Sequence, residues 1–135
     1  MITRLGFATV YVLDQDAAKA FYVDRLGFVV TSDVTLDGGF RWLTVAPSGG
    51  GTALILIEPG PPMFDPESAQ SLRALIAKGA LGPGVLHTDD CRASHRELAA
   101  RGVTFLQEPA ERPYGLEAVL RDDSGNWFSL TERPG

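Results

Sequence analysis

The residues Phe21-Tyr22-Val23-Asp24-Arg25-Leu26-Gly27-Phe28 decide how this chain is folded. They end a short amphipathic helix and lead straight into the apolar run Phe28-Val29-Val30. The helix begins after Asp14, whose carboxylate can accept the unpaired N–H groups of a first turn. It ends at Gly27, the residue type that takes the left-handed conformation past a helix C-terminus without a Cβ clash. The same arrangement recurs further along. Asp89 or Asp90 opens a helical segment through Ala99 and Ala100, Gly102 closes it, and Val103-Thr104-Phe105 begins another strand. Two copies of one helix-to-strand unit are expected.

Working outward from the first copy, Leu5 to Leu13 alternates and is rich in Val, Tyr, Phe and Thr, which predicts a strand with Phe7, Thr9 and Tyr11 on one face. The helix Gln15 to Leu26 carries Ala17, Ala18, Phe21, Tyr22 and Leu26 along one stripe. Strands are predicted at Phe28 to Leu36, Phe40 to Ala46 and Thr52 to Glu58, joined by turns at Asp37-Gly38-Gly39 and Gly49-Gly50-Gly51. Pro59, Pro61 and Pro62 then break regular structure. Asp65 caps a further helix, with Pro66 at its first position and Gly79 at its end; this helix is expected to cover a sheet edge or a neighbouring subunit. Strand Gly84 to Thr88, helix Cys91 to Arg101, strand Val103 to Gln107, an irregular loop Pro109 to Gly115, and strands Leu116 to Arg121 and Trp127 to Thr131 repeat the unit. The expected fold class is α+β, two βαβββ modules in a single domain. Module one covers about 1–60, the linker and extra helix about 61–80, and module two about 81–135.

A chain of 135 residues can bury a full core as one domain. Its 44% hydrophobic and 21% charged content argues against disorder. No apolar run reaches the ~20 residues that cross a bilayer, and Met1 to Gly6 lacks a basic region followed by a long apolar one, so a cytoplasmic protein without membrane association is expected. The net charge is −5 and the Lys and Arg residues are scattered, which makes nucleic acid an unsuitable partner. The Gly49 to Gly51 triplet precedes a strand, not a helix, and so is not a phosphate-binding loop. Cys91, alone, cannot form an internal disulfide.

Asp14 with Ala17, Phe21-Tyr22 and Leu26-Gly27-Phe28, then Asp89-Asp90 with Gly102-Val103, then Arg121-Asp122-Asp123-Ser124-Gly125-Asn126-Trp127-Phe128 follow one another over nearly the whole chain. This pattern resembles the vicinal oxygen chelate superfamily, which includes glyoxalase I, bleomycin-resistance proteins, extradiol dioxygenases and fosfomycin-resistance enzymes. The last string is similar to that family's D-P-x-G-N turn, with Asp123 in place of Pro. The resemblance implies that each module curls into half a barrel and that the halves enclose a cavity. In metal-dependent members it implies His, Gln or Glu on the first strands and Glu on the last, because a dication needs lone-pair donors at about 2.0–2.3 Å in place of its water. Seven residues before Asp14 stands Phe7; seven before Asp90 stands Pro83, or Gly82 with a slip of one. The last-strand position falls on Ser129 and, in module one, near Ile55. These residues do not make a dication site, although Glu58, His87 and Glu117 stand nearby, and no metal or other cofactor is expected. Homodimerisation is implied by the resemblance as well, with or without exchange of modules.

Period-two parity puts Phe7, Thr9 and Tyr11, Val85 and His87, and Trp127, Ser129 and Thr131 on equivalent faces, with Glu117 and Val119 beside them. Either Arg41 and Leu43 or Trp42 and Thr44 join them. An aromatic wall with few polar points is the make-up of a small-molecule pocket, so the ligand-binding candidates are Phe7, Thr9, Tyr11, Trp42, Val85, Val119, Trp127 and Ser129. His87 can exchange protons near neutral pH and would form an acid–base pair with Glu117 in reach; equally, it serves as a strand-end histidine bonded to backbone or water. His95, between Arg92 and Arg96, is expected on the solvated surface, and Cys91 as a small helix residue. The favoured reading is a metal-independent binding protein for a hydrophobic or aromatic small molecule, similar to the bleomycin-resistance and other drug-sequestering members. The alternative is a lyase, isomerase or hydrolase using His87 and Glu117 as acid and base. A divalent-metal glyoxalase or dioxygenase comes third.

Overall fold

The computed structural model describes residues 1–132. Its elements are β1 (Phe7–Tyr11), α1 (Gln15–Ala20) continued by a π-helical turn (Phe21–Arg25), β2 (Val29–Thr35), β3 (Arg41–Ala46), β4 (Ala53–Ile57), α2 (Pro66–Ala77), β5 (Gly84–His87), α3 (Cys91–Ala100), β6 (Thr104–Arg112), β7 (Gly115–Arg121) and β8 (Trp127–Glu132). The strands form two four-stranded sheets, ordered β1-β4-β3-β2 and β5-β8-β7-β6. In each, the first strand runs parallel to the last, and the remaining neighbours are antiparallel. The βαβββ unit is thus present twice, and neither sheet closes into a barrel.

Local signals set the element ends. The carboxylates of Asp14, Asp65 and Asp90 accept the N–H groups of Ala17, Ser68 and Ala93, which settles Asp90 over Asp89 as the cap of α3. Two expectations are corrected. The helix expected in one piece to Leu26 widens after Ala20, and Leu26 N–H bonds the Phe21 carbonyl five residues back. Phe21 and Tyr22 both enter the core, while Ala17, expected on the buried stripe, is exposed. The loop expected from Pro109 to Gly115 is instead mostly strand: β6 continues to Arg112 through two register shifts. Proline is tolerated there because β6 is an edge strand and the ladder is already interrupted, so its missing N–H leaves no partner unpaired.

One hydrophobic cluster unites the helix-bearing faces of both sheets, from Val10, Leu43 and Leu56 to Leu120, Phe128 and Leu130. Tyr22 bridges them, its ring edge-on to both Phe28 and Phe128. At the join, Asp122 Oδ1 accepts the N–H groups of Ser124, Gly125 and Asn126, and Oδ2 accepts from Tyr22 Oη at 2.7 Å. Asn126 Nδ2 donates to the Tyr11 carbonyl, and Leu13 N–H donates to Ser124 Oγ. α2 packs here too: Arg73 donates to the Leu13 carbonyl, and the Ile76 carbonyl lies against Gly125. The opposite faces of the two sheets are left free of this core.

Candidate functional site

On the first sheet, Thr9, Ile55 and Thr44 are successive partners across β1, β4 and β3. Directly opposed residues share a face, so Trp42 and Thr44 lie on the side of Phe7, Thr9 and Tyr11, which decides the parity that the sequence left open. Arg41 and Leu43 point the other way. There Arg41 donates to Asp33 at 2.9 Å and to Asp16 at 2.6 Å, and Lys19 donates to Asp33 at 2.7 Å. These cationic donors hold the Asp33 carboxyl well below the usual carboxylate range. On the free face, the rings of Phe7 and Trp42 meet edge-on with centroids 5.4 Å apart, and Tyr11 meets Phe64 in the same way. Ile55 and Ile57 form a buried floor, while Phe7 is 47% exposed.

The second sheet presents two cross-strand rows on its free face, Val85–Ser129–Val119 and His87–Thr131–Glu117, with Trp127 at one end. All the residues of module two expected at the site therefore share this face. Val85 is 57% exposed and Ser129 and Thr131 are buried beneath. Trp127 lies over Gly82, where an added Cβ would stand 2.2 Å from the ring. A polar cluster interrupts the apolar surface. Ser129 Oγ donates to Glu117 Oε2 at 2.5 Å and contacts Thr131 Oγ1 at 2.7 Å; Tyr114 Oη donates to Glu117 Oε1 at 2.8 Å. Ser129 first, then Tyr114 and the charge of Arg112, hold the Glu117 carboxyl below its ordinary value against partial loss of water. Tyr114 and Arg112 were not foreseen, because the sequence assigned them to an irregular loop. His87 and Glu117 stand on opposite sides of β8, two interstrand spacings or about 10 Å apart. They flank Thr131 and do not touch.

Two further groups take definite places. His95, expected on the solvated surface, is half-buried, with its ring edge-on to Phe105 at 4.5 Å, because α3 packs on β6. Cys91 is fully buried, and that burial pushes its thiol up.

The positions that the sequence pattern assigned to metal ligands are Phe7 on β1, the neighbourhood of Ile55 on β4, Ser129 on β8 and Gly82-Pro83 just before β5. The Trp127 ring occupies the space that a side chain at position 82 would need. A ring, an alkyl branch, a hydroxyl and an imide do not fit a dication. Among the described residues, no three His, Cys, Asp or Glu side chains converge as a metal site. Compared with known families, residues 4–130 match the family described as Glyoxalase/Bleomycin resistance protein/Dioxygenase superfamily. The chain belongs to this superfamily. Within the glyoxalase/bleomycin resistance superfamily it is similar to the crystal structure of UcmS2, with 52% identity and a TM-score of 0.92 over 98% of this chain and 99% of that one. It is also similar to TnmS3, an antibiotic binding protein from Streptomyces sp. CB03234, with 34% identity and a TM-score of 0.78 over 98% of each chain. The uncharacterized protein YetH of Bacillus subtilis is 30% identical over 132 residues, 98% of this chain and 100% of that one. Among the described residues, no helix is long and apolar enough to cross a membrane.

Proposed function

We propose that this protein binds a planar, hydrophobic small molecule of the antibiotic type on the free faces of its sheets, without the aid of a metal ion. The observation that carries this reading is a replacement: where dication ligands would stand, the faces offer Phe7, Ile55 and Ser129, with Trp42 and Trp127 beside them. Exposed aromatic rings favour a flat ligand, each stacking contact contributing about 0.5–1.5 kcal/mol beyond burial. The likeness to TnmS3 supports the same reading. Phe7, Val85 and Trp127 remain 47%, 57% and 37% exposed. A second copy of the chain would cover these open apolar faces and enclose the ligand, so the working form is a homodimer, acting in the cytoplasm.

Titration with planar polycyclic antibiotics such as daunorubicin and actinomycin, followed by tryptophan fluorescence, tests this. At least one should quench with a micromolar or tighter dissociation constant, and Trp127→Ala should weaken it about threefold to tenfold. A panel that leaves the fluorescence unchanged refutes the reading.

A further inference from the structure

The hydroxyls around Glu117 have only one consistent direction of donation. The carboxylate is ionised across the neutral range, so it accepts only. Ser129 must then direct its single hydrogen to Glu117 Oε2, and Tyr114 its own to Oε1. With that hydrogen committed, the 2.7 Å contact between Ser129 and Thr131 requires Thr131 to be the donor. The relay runs Thr131 to Ser129 to Glu117, so none of the Thr131, Ser129 and Tyr114 hydroxyls keeps a hydrogen for a bound molecule. The nearest cation, Arg112, is itself engaged, donating to Gln107 Oε1 and the Glu111 carbonyl, with its Nε 3.7 Å from Glu117 Oε1. Each carboxylate oxygen has two acceptor positions and one hydrogen-bonded donor. The Glu117 side chain is 14% exposed, on the same face as Val119, Ser129 and Val85.

We propose that Glu117 is the polar anchor of the ligand site, selecting flat apolar molecules that carry an O–H or N–H donor over those that offer only acceptors. This rests on the small-molecule reading above and adds the chemistry of the ligand's polar end. The first sheet offers no matching carboxylate on its free face, which carries Phe7, Tyr11, Trp42, Ile55 and Ile57 with the hydroxyls of Thr9 and Thr44.

Calorimetric titration of the full chain with 2-naphthol and with 2-methoxynaphthalene, which differ by one donor, tests the inference. The intact protein should bind 2-naphthol about tenfold more tightly, the scale of one charge-assisted hydrogen bond. Glu117→Gln should reduce that preference, and Glu117→Leu should abolish it. Circular dichroism selects the folded variants, and Glu117→Gln alone decides if the leucine variant does not fold. Equal binding of the two probes, or a preference that survives in the folded variants, overturns the anchor and leaves the apolar site standing. Binding of neither probe overturns both.

Discussion

Asp122 and Asp123 are adjacent carboxylates with opposite surroundings. Asp122 is enclosed and receives hydrogen bonds from three backbone N–H groups, the Asn126 amide and the Tyr22 hydroxyl. Burial, and then the charge of Asp122, push the Tyr22 phenol well above its usual range. Asp123 belongs to an exposed residue, yet its carboxyl borders a groove of about 590 Å³ shared with Arg25, Thr104 and Arg121. Loss of water around the carboxyl, and next the repulsion of Asp122, push it up to about 6. A folded value above the unfolded one, about 3.9, means that the native state holds this proton more firmly. Asp123 therefore favours the fold most below about pH 4, and that contribution is lost as pH rises through about 6. Asp123→Asn should raise the urea midpoint above that of the parent near pH 7.5, and the gap should close near pH 4. A gap that widens on acidification would contradict this origin.

At the scale of elements, the turn 122–126 and α2 depend on each other. Gly125 adopts φ +123°, and a Cβ there would lie 2.2 Å from the Ile76 carbonyl. Gly125→Ala should cost about 2–4 kcal/mol through strain and displacement of α2, read as a melting temperature lower by roughly 10 °C. How much of this was legible in the sequence follows from how local each signal is. Asp14, Asp65, Gly27 and Gly102 mark element ends because capping and a left-handed φ are decided within a few residues, and period-two alternation placed Val85, Val119 and Ser129 on a common face for the same reason. The parity of Trp42 was open because only the pairing of Thr44 with Ile55 fixes it. Pro109 concealed the length of β6, since a proline signals a break unless the strand is known to lie at an edge. Tyr114 was hidden with it. The seat of Trp127 on Gly82 and the edge contact of His95 with Phe105 arise from packing between elements, for which periodicity carries no signal.

For the whole molecule, the two modules are held by a reciprocal pair of arginines. Arg25 Nη1 donates to the Arg101 and Gly102 carbonyls, while Arg101 Nη1 donates to the Arg25 carbonyl. Each guanidinium thus caps the other module's helix end, where carbonyls are unpaired and the dipole favours positive charge. Arg25→Ala and Arg101→Ala should each cost about 1 kcal/mol. Because they share partners, the double variant should fall short of the sum by about 0.5 kcal/mol in urea unfolding, and strict additivity would deny the coupling. The sequence separations at this join carry a consequence for synthesis. Tyr22 meets Asp122 across 100 positions, and the Tyr11 carbonyl meets Asn126 across 115. On a ribosome adding about 5–20 residues per second, these groups stay bonded to water for roughly 5–20 s after they are made. The half translated first waits, unsealed, for the half translated last.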